Sequence, residues 1–226
     1  MTVCPERYKP WYQRLETAKK RLKHVYPKIY EFEQLHRAHR LARRAKRSKE
    51  EVVRFELDLN RNLMTLRDEL LTQTYRPGAY REFKVFEPKE RVIMSLPYRD
   101  RVVQHSLCDQ VLGPWINRQL IDDNCASRPR KGTHYGLYRL ARFMREFYHT
   151  RGTEGYILKA DISKFFYRIR HDRLKEMLYP GIADPQLKGL LDVIIDSTPG
   201  NVGVPIGNMT SQWFAIYESL ALSRQK

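Results

Sequence analysis

Apolar positions recur at helical spacing through most of the chain. Ile29, Phe32, Leu35 and Ala38 fall three to four residues apart, which predicts helices over residues 11–47, broken around Pro27, with one packed face and an Arg/Lys face in water. A longer helix is predicted from Ser48 to Gln73. Ser48 is its cap, Glu50 and Glu51 occupy its positive first turn, and Val52, Phe55, Leu57, Leu59, Leu63, Leu66 and Leu70 form its apolar side. Pro77-Gly78 ends it. The period then shortens. Phe83, Val85 and Phe86 read as one strand and Arg91 to Met94 as the next, joined by the polar turn Glu87-Pro88-Lys89-Glu90. Helices are predicted again over Arg101 to Leu112, His134 to Thr150, Asp172 to Leu178 (with Asp172 as N-cap), Pro185 to Ser197 and Met209 to Leu222. Gly155 to Ala160 (GYILKA) reads as a short buried strand running into Asp161, and Pro199 to Gly207 as a Gly/Pro-rich turn. The mixture predicts an α+β fold.

Charge sharpens this outline. Across 226 residues, 42 Lys+Arg face 26 Asp+Glu, a net +16, and residues 1–50 alone hold 15 basic against 5 acidic residues. The excess is densest from His36 to Lys49. Such a surface attracts polyanions by releasing their condensed counterions, although a solvated helix face has the same composition. Arg43, Arg44, Lys46 and Arg47 are the candidate RNA contacts. No apolar run approaches the length of a membrane span, and Met1 to Pro10 has no apolar signal core. Cys4, Cys108 and Cys125 show no CxxC spacing, which fits a reducing interior without disulfides or zinc. A soluble, cytoplasmic protein is expected.

Candidate chemistry sits in the second half. Within Ile157 to Phe166, a carboxylate follows directly on a strand pattern, a place where sheets present ligand groups, and carboxylate oxygens suit Mg²⁺. Asp161 could equally cap a local turn. In Gly203 to Ala215 (GVPIGNMTSQWFA), two glycines permit close backbone approach before a helix, as any Gly/Pro turn capping a helix would.

Four blocks in order then carry a resemblance. Arg91-Val92-Ile93 with Pro97 to His105, Asp122 to Thr133 (DDNCASRPRKGT), Lys159 to Phe166 (KADISKFF) and Gly203 to Ala215 resemble two fingers motifs and palm motifs A and B of bacterial reverse transcriptases related to group II intron, retron and diversity-generating enzymes. The resemblance spans about Ile29 to Tyr217. It implies a right-hand polymerase fold: a basic helical extension over 1–28, fingers and the start of the palm over 29–155, and a partial palm over 156–226. The implied function is RNA-directed DNA synthesis on an RNA template and primer from deoxynucleoside triphosphates. The implied roles follow residue by residue. Asp161 and the Ile162 carbonyl would hold Mg²⁺. Phe166 would exclude a nucleotide 2′-hydroxyl, core packing being the alternative for Phe165 and Phe166. Lys84 and Arg91 would clamp the triphosphate. Pro205, Ile206 and Gly207 would line the nucleotide. Gln212 would support the template, whose phosphates would lie along Arg128, Arg130 and Lys131, unless that loop is simply solvated.

The family also has a Tyr-x-Asp-Asp hairpin after motif B and a thumb, neither of which occurs before Lys226. Its Phe-Ala-Asn is replaced here by Phe214-Ala215-Ile216. A shortened or frameshifted reading frame is therefore expected. So is a chain inactive by itself, because one aspartate cannot hold two metal ions about 4 Å apart. A complementing palm and thumb polypeptide is the partner this implies.

Overall fold

The structure is a computed structural model and describes residues 21–86 and 90–223. It is a mixed fold of helices and one two-stranded antiparallel sheet. The helices expected before residue 21 and the turn residues 87–89 lie outside the described residues.

Helices α1 (Pro27–Tyr30) and α2 (Phe32–Ala42) are separated at Glu31, and Pro27 opens the first of them, where its missing N–H has no partner to lose. Their inward face is the one the spacing predicts, with Ile29, Leu35 and Ala38 buried. The single helix expected over Ser48 to Gln73 is instead two, α3 (Glu50–Glu56) and α4 (Leu59–Leu71). At the break Leu57 is 82% exposed, and Asn62 Nδ2 donates to the Phe55 carbonyl at 2.9 Å, satisfying an acceptor that the break releases. The turn sets Glu56 within 2.6 Å of Arg43 and 3.2 Å of buried His39. Ser48 does not cap α3; Lys49 holds that position without a side-chain bond.

The predicted hairpin forms from β1 (Arg81–Val85) and β2 (Arg91–Ser95), in register from Arg81 opposite Ser95 to Val85 opposite Arg91. Helix α5 (Tyr98–Leu107) starts three residues before the expected Arg101, on Pro97, and passes through a π-turn at Cys108–Leu112 into α6 (Gly113–Asn117). It is the central helix: Val102, Val103 and Leu107 are buried, and so are Asp100, Gln104 and Ser106. Each of these polar groups has a partner, as burial requires. Tyr75 Oη and the Gly78 amide donate to Asp100 at 2.9 and 3.0 Å, and Ser106 Oγ donates to the Ile29 carbonyl at 2.6 Å.

Helix α7 (Thr133–Arg151) comes next, then α8 (Phe165–Arg168), α9 (His171–Leu178), α10 (Pro185–Ile195) and α11 (Met209–Ser223). Asp172 lies inside the first turn of α9 and Arg170 is its N-cap. Asp184 caps α10, accepting from the amides of Gln186 and Leu187 at 3.1 and 3.2 Å; its second oxygen accepts from Val25 and Tyr26 at 2.8 and 3.0 Å. One carboxylate thus ties the start of the described chain to α10.

One core joins α1–α6 with α9–α11, and it includes Trp115 stacked on Tyr217 at 5.1 Å. The hairpin and α7 contribute no buried residue to it. The strand expected over Gly155 to Ala160 is not formed. Residues 154–162 have no regular structure, and Tyr156, Ile157 and Leu158 are 105%, 77% and 92% exposed. A strand is defined by its ladder, and no described segment pairs with this one.

Candidate functional site

The Gly/Pro turn before α11 is the meeting point of three distant parts of the chain. The Val204 amide donates to the Phe166 carbonyl at 2.9 Å, and the Gly203 amide to Ile169 at 2.7 Å. The Met94 amide, on β2, donates to the Ile206 carbonyl at 2.9 Å. The Met209 amide, at the start of α11, donates to Gln104 Oε1 of α5 at 3.1 Å. Gly207 has φ +112°, and a Cβ there would lie 2.8 Å from Ile93 Cγ2. Glycine is needed on both counts. Three of the four sequence blocks therefore converge here: Arg91-Val92-Ile93 with Pro97 to His105, through Gln104 and the adjoining Met94, then Lys159 to Phe166, and Gly203 to Ala215. The fourth is held by bonds within its own loop and to α7.

Beside the junction is an open cleft of about 680 Å³ lined by Lys46, Lys49, Arg81, Phe83, Arg101 and Gly207, among others. Arg101 is ion-paired to Glu51, also on its wall. A second groove, of about 580 Å³, runs along α2 between His36, Arg37, Arg40, Arg43, Arg44 and Arg47, with Glu33 the acidic residue of its lining. Both suit polyanions. Arg44, Lys46 and Arg47 are exposed, whereas Arg43 is half-buried against Glu56 and closes the end of α2. His39, behind this groove, has its pKa lowered by burial, against the raising influence of Glu56. Its Nδ1 lies 3.0 Å from Tyr98 Oη.

The remaining candidates are placed as follows. Lys84, on β1, is exposed and pairs with Glu90 at 2.6 Å, and Arg91 is exposed at the start of β2. Phe165 and Phe166 both pack half-buried on the core, with ring centroids 6.4 Å apart. Pro205 is buried, Ile206 half-buried and Gln212 exposed. Arg128 Nη1 donates to the carbonyls of Ile121, Asp122 and Asn124 at 2.8, 3.3 and 3.2 Å. Lys131 donates to the Asp122 carbonyl at 2.6 Å and pairs with its carboxylate, and Tyr135 donates to Asp122 at 3.1 Å. These bonds hold the Asp122 carboxyl below its ordinary range, Lys131 foremost. Arg139 pairs with Asp123. Arg128 and Lys131 are thus staples of their own loop, and Arg130 is its exposed cation.

Asp161 is exposed, and Ile162 beside it is 43% exposed. Among the described residues no group of three or more His, Cys, Asp or Glu could hold a metal ion. One carboxylate and one neighbouring carbonyl do not fit a pair of Mg²⁺ ions, so the described donor set is incomplete for them. The positional use of Gln104 and Asp100 was not read from the sequence; polar residues three or four apart on an otherwise apolar helix are the signal that could have found them. No helix among the described residues is long and apolar enough to cross a membrane. No known protein family and no curated protein matches the chain.

Proposed function

We propose that this chain is a nucleic-acid-binding part of an RNA-directed DNA polymerase of the bacterial reverse transcriptase kind, with the fingers and part of the palm of a right-hand fold. The observation that carries the reading is the convergence on one turn of two backbone bonds of 2.9 Å, from Met94 to Ile206 and from Val204 to Phe166, with the Met209 amide bonded to Gln104 at 3.1 Å. It brings three blocks with the family's order of motifs to one place, beside a cationic cleft. In this reading Arg44, Lys46 and Arg47 hold RNA phosphates, template and primer reach the cleft, and Lys84 and Arg91 face the triphosphate of an incoming deoxynucleotide. The described residues offer one aspartate, Asp161, for Mg²⁺, so a pair of ions needs carboxylates beyond the described ones, and the isolated 226-residue chain is expected to bind RNA without extending a primer.

The test has two arms on the isolated chain. Binding to a labelled RNA hairpin, followed by anisotropy, is expected to weaken steeply with salt. Primer extension with Mg²⁺ or Mn²⁺ is expected to be absent. Salt-independent binding would overturn the first half. Templated incorporation that Asp161→Ala abolishes would overturn the second.

A further inference from the structure

The α2 groove is backed by three side chains that share one carboxylate oxygen. Glu56 Oε1 accepts from Arg43 Nη1 at 2.6 Å and lies 3.2 Å from His39 Nε2. Behind the ring, the single proton of the Tyr98 hydroxyl meets two contacts. Tyr98 donates to the His39 carbonyl at 3.1 Å, and its oxygen lies 3.0 Å from His39 Nδ1. Both bonds form together only when Nδ1 carries hydrogen. A neutral ring then has a bare lone pair at Nε2, facing the Glu56 carboxylate with no hydrogen bond between them. The other tautomer supplies Nε2–H but diverts the Tyr98 proton from the carbonyl. Either way this buried network is one proton short, and only the doubly protonated ring gives every contact a donor.

Burial foremost keeps that proton off, aided by Arg43 and His36 and opposed by Glu56. The other groups around the ring do not move this balance. Arg101 lies over the Tyr98 ring at 5.4 Å and is paired with Glu51. On α4, Arg61 pairs with Asp58, Arg67 with Asp68, and Glu69 with Arg99. Arg43 is the movable member. Nη1 makes its bond to Glu56, Nε is buried without a partner, and the side chain lines the groove with Arg40, Arg44 and Arg47. A phosphate seated among these guanidinium groups competes with Glu56 for Arg43. We propose that His39, Glu56 and Arg43 form a proton-coupled gate on the α2 groove. A phosphate that draws Arg43 off Glu56 is accompanied by one proton from solvent onto His39 Nε2, which takes the place of Arg43 on the carboxylate. A ligand that brings a proton in is favoured by protons in equal measure, so polyanions bind this groove more tightly as pH falls. The gate rests on the RNA reading for its ligand, while the proton count rests on the network.

The test titrates the 226-residue chain with the labelled RNA hairpin at fixed salt between about pH 5.5 and 8, a range that brackets the ordinary histidine pKa. Calorimetry in two buffers of different ionisation heat counts the protons taken up. His36 also lines the groove and is a second source of protons, so every chain carries His36→Gln. In that background log K is expected to fall as pH rises, with a limiting slope of about one per pH unit for one proton, and binding is expected to take up protons. His39→Gln and Glu56→Gln should each abolish slope and uptake. Glu56→Gln should also bind at least about threefold more tightly at the alkaline end, because Arg43 is released without a proton. Glu33→Gln removes the carboxylate of the groove's own lining and should tighten binding with the slope intact. Glu56 is half-buried at the end of α3, so its variant carries the test if circular dichroism shows that His39→Gln does not fold. Salt-dependent RNA binding without proton uptake, or with a slope unchanged in Glu56→Gln, overturns the gate and leaves the RNA reading standing. A slope lost equally in Glu33→Gln assigns the protons to general charge and also overturns it. RNA that does not bind, or binds independently of salt, overturns both.

Discussion

Replacing Gly207 by alanine tests the junction on which the functional reading rests. With φ at +112°, Gly207 lies outside the regions open to L-residues, and holding alanine there costs about 1–3 kcal/mol. The new methyl would also lie 2.8 Å from Ile93 Cγ2, the end of a half-buried side chain, and turning that side chain off its rotamer costs about 0.5–1.5 kcal/mol. The turn cannot relax cheaply. The Met94–Ile206 bond precedes Gly207 and the Met209–Gln104 bond follows it, so a swing that relieves φ breaks one of them. Gly207→Ala is therefore expected to lower the urea unfolding free energy by about 2–4 kcal/mol and to speed hydrogen exchange at the Met94 amide. Making the change in an Ile93→Ala background separates the two costs. The second substitution should recover only the rotamer share, about 1 kcal/mol, leaving the φ cost in place. A loss below about 0.5 kcal/mol, within the range of ordinary surface substitutions, would refute the reasoning, and so would full rescue by Ile93→Ala.

Three further outcomes follow from the same geometry. Asp184→Ala removes a helix cap and leaves the Val25 and Tyr26 amides unpaired, a cost of about 3–5 kcal/mol in equilibrium unfolding; Asp184→Asn, which can still cap α10, should cost about half as much. Neutralising Arg44, Lys46 and Arg47 together should reduce the slope of log K against log salt for RNA by about 2–3, from 0.7–0.9 per phosphate, and an unchanged slope would place the RNA elsewhere. His39 is held neutral by burial, so its folded pKa lies below the ordinary histidine value of about 6.5. The unfolded chain takes up the proton first, and the stability tied to neutral His39 is complete above that value and is lost as pH falls through the folded one. Urea unfolding at pH 7.5 and 5.5 should show a larger acid loss in wild type than in His39→Gln.

The hairpin was legible because alternation and a Pro-containing turn are local signals. So was the inward face of α2, where spacing alone selects Ile29, Leu35 and Ala38. The division of α3 from α4 was not, because the apolar stripe Val52, Phe55, Leu59, Leu63 runs through it without a gap. What breaks the helix is tertiary: Glu56 turns to Arg43 and His39, and Asn62 takes up the Phe55 carbonyl. Asp184-Pro185 is a readable helix start, a capping carboxylate before a proline, whereas the cap position expected of Asp172 belongs to Arg170. Among the candidate site residues, the charge of Arg128 and Lys131 said nothing of their fate. Both are consumed by carbonyls and a carboxylate of their own loop, a geometry that composition does not encode.

The failed strand is the most informative of these differences. GYILKA has the composition of a buried strand, yet its apolar side chains all end in solvent. Composition specifies what a segment can bury, but a strand also needs a partner for every second amide and carbonyl, and that requirement lies outside the segment. The same requirement applies to α7, a helix with an apolar stripe and no buried residue. It also bears on Asp161, which directly follows the unpaired segment and has no second carboxylate with which to form a metal-binding group among the described residues. An unformed strand, an uncovered helix and a solitary aspartate are contiguous in the chain from Thr133 to Asp161. All three follow from one requirement: a strand, a helix face and a metal site each need partners, and no described residue supplies them to this stretch.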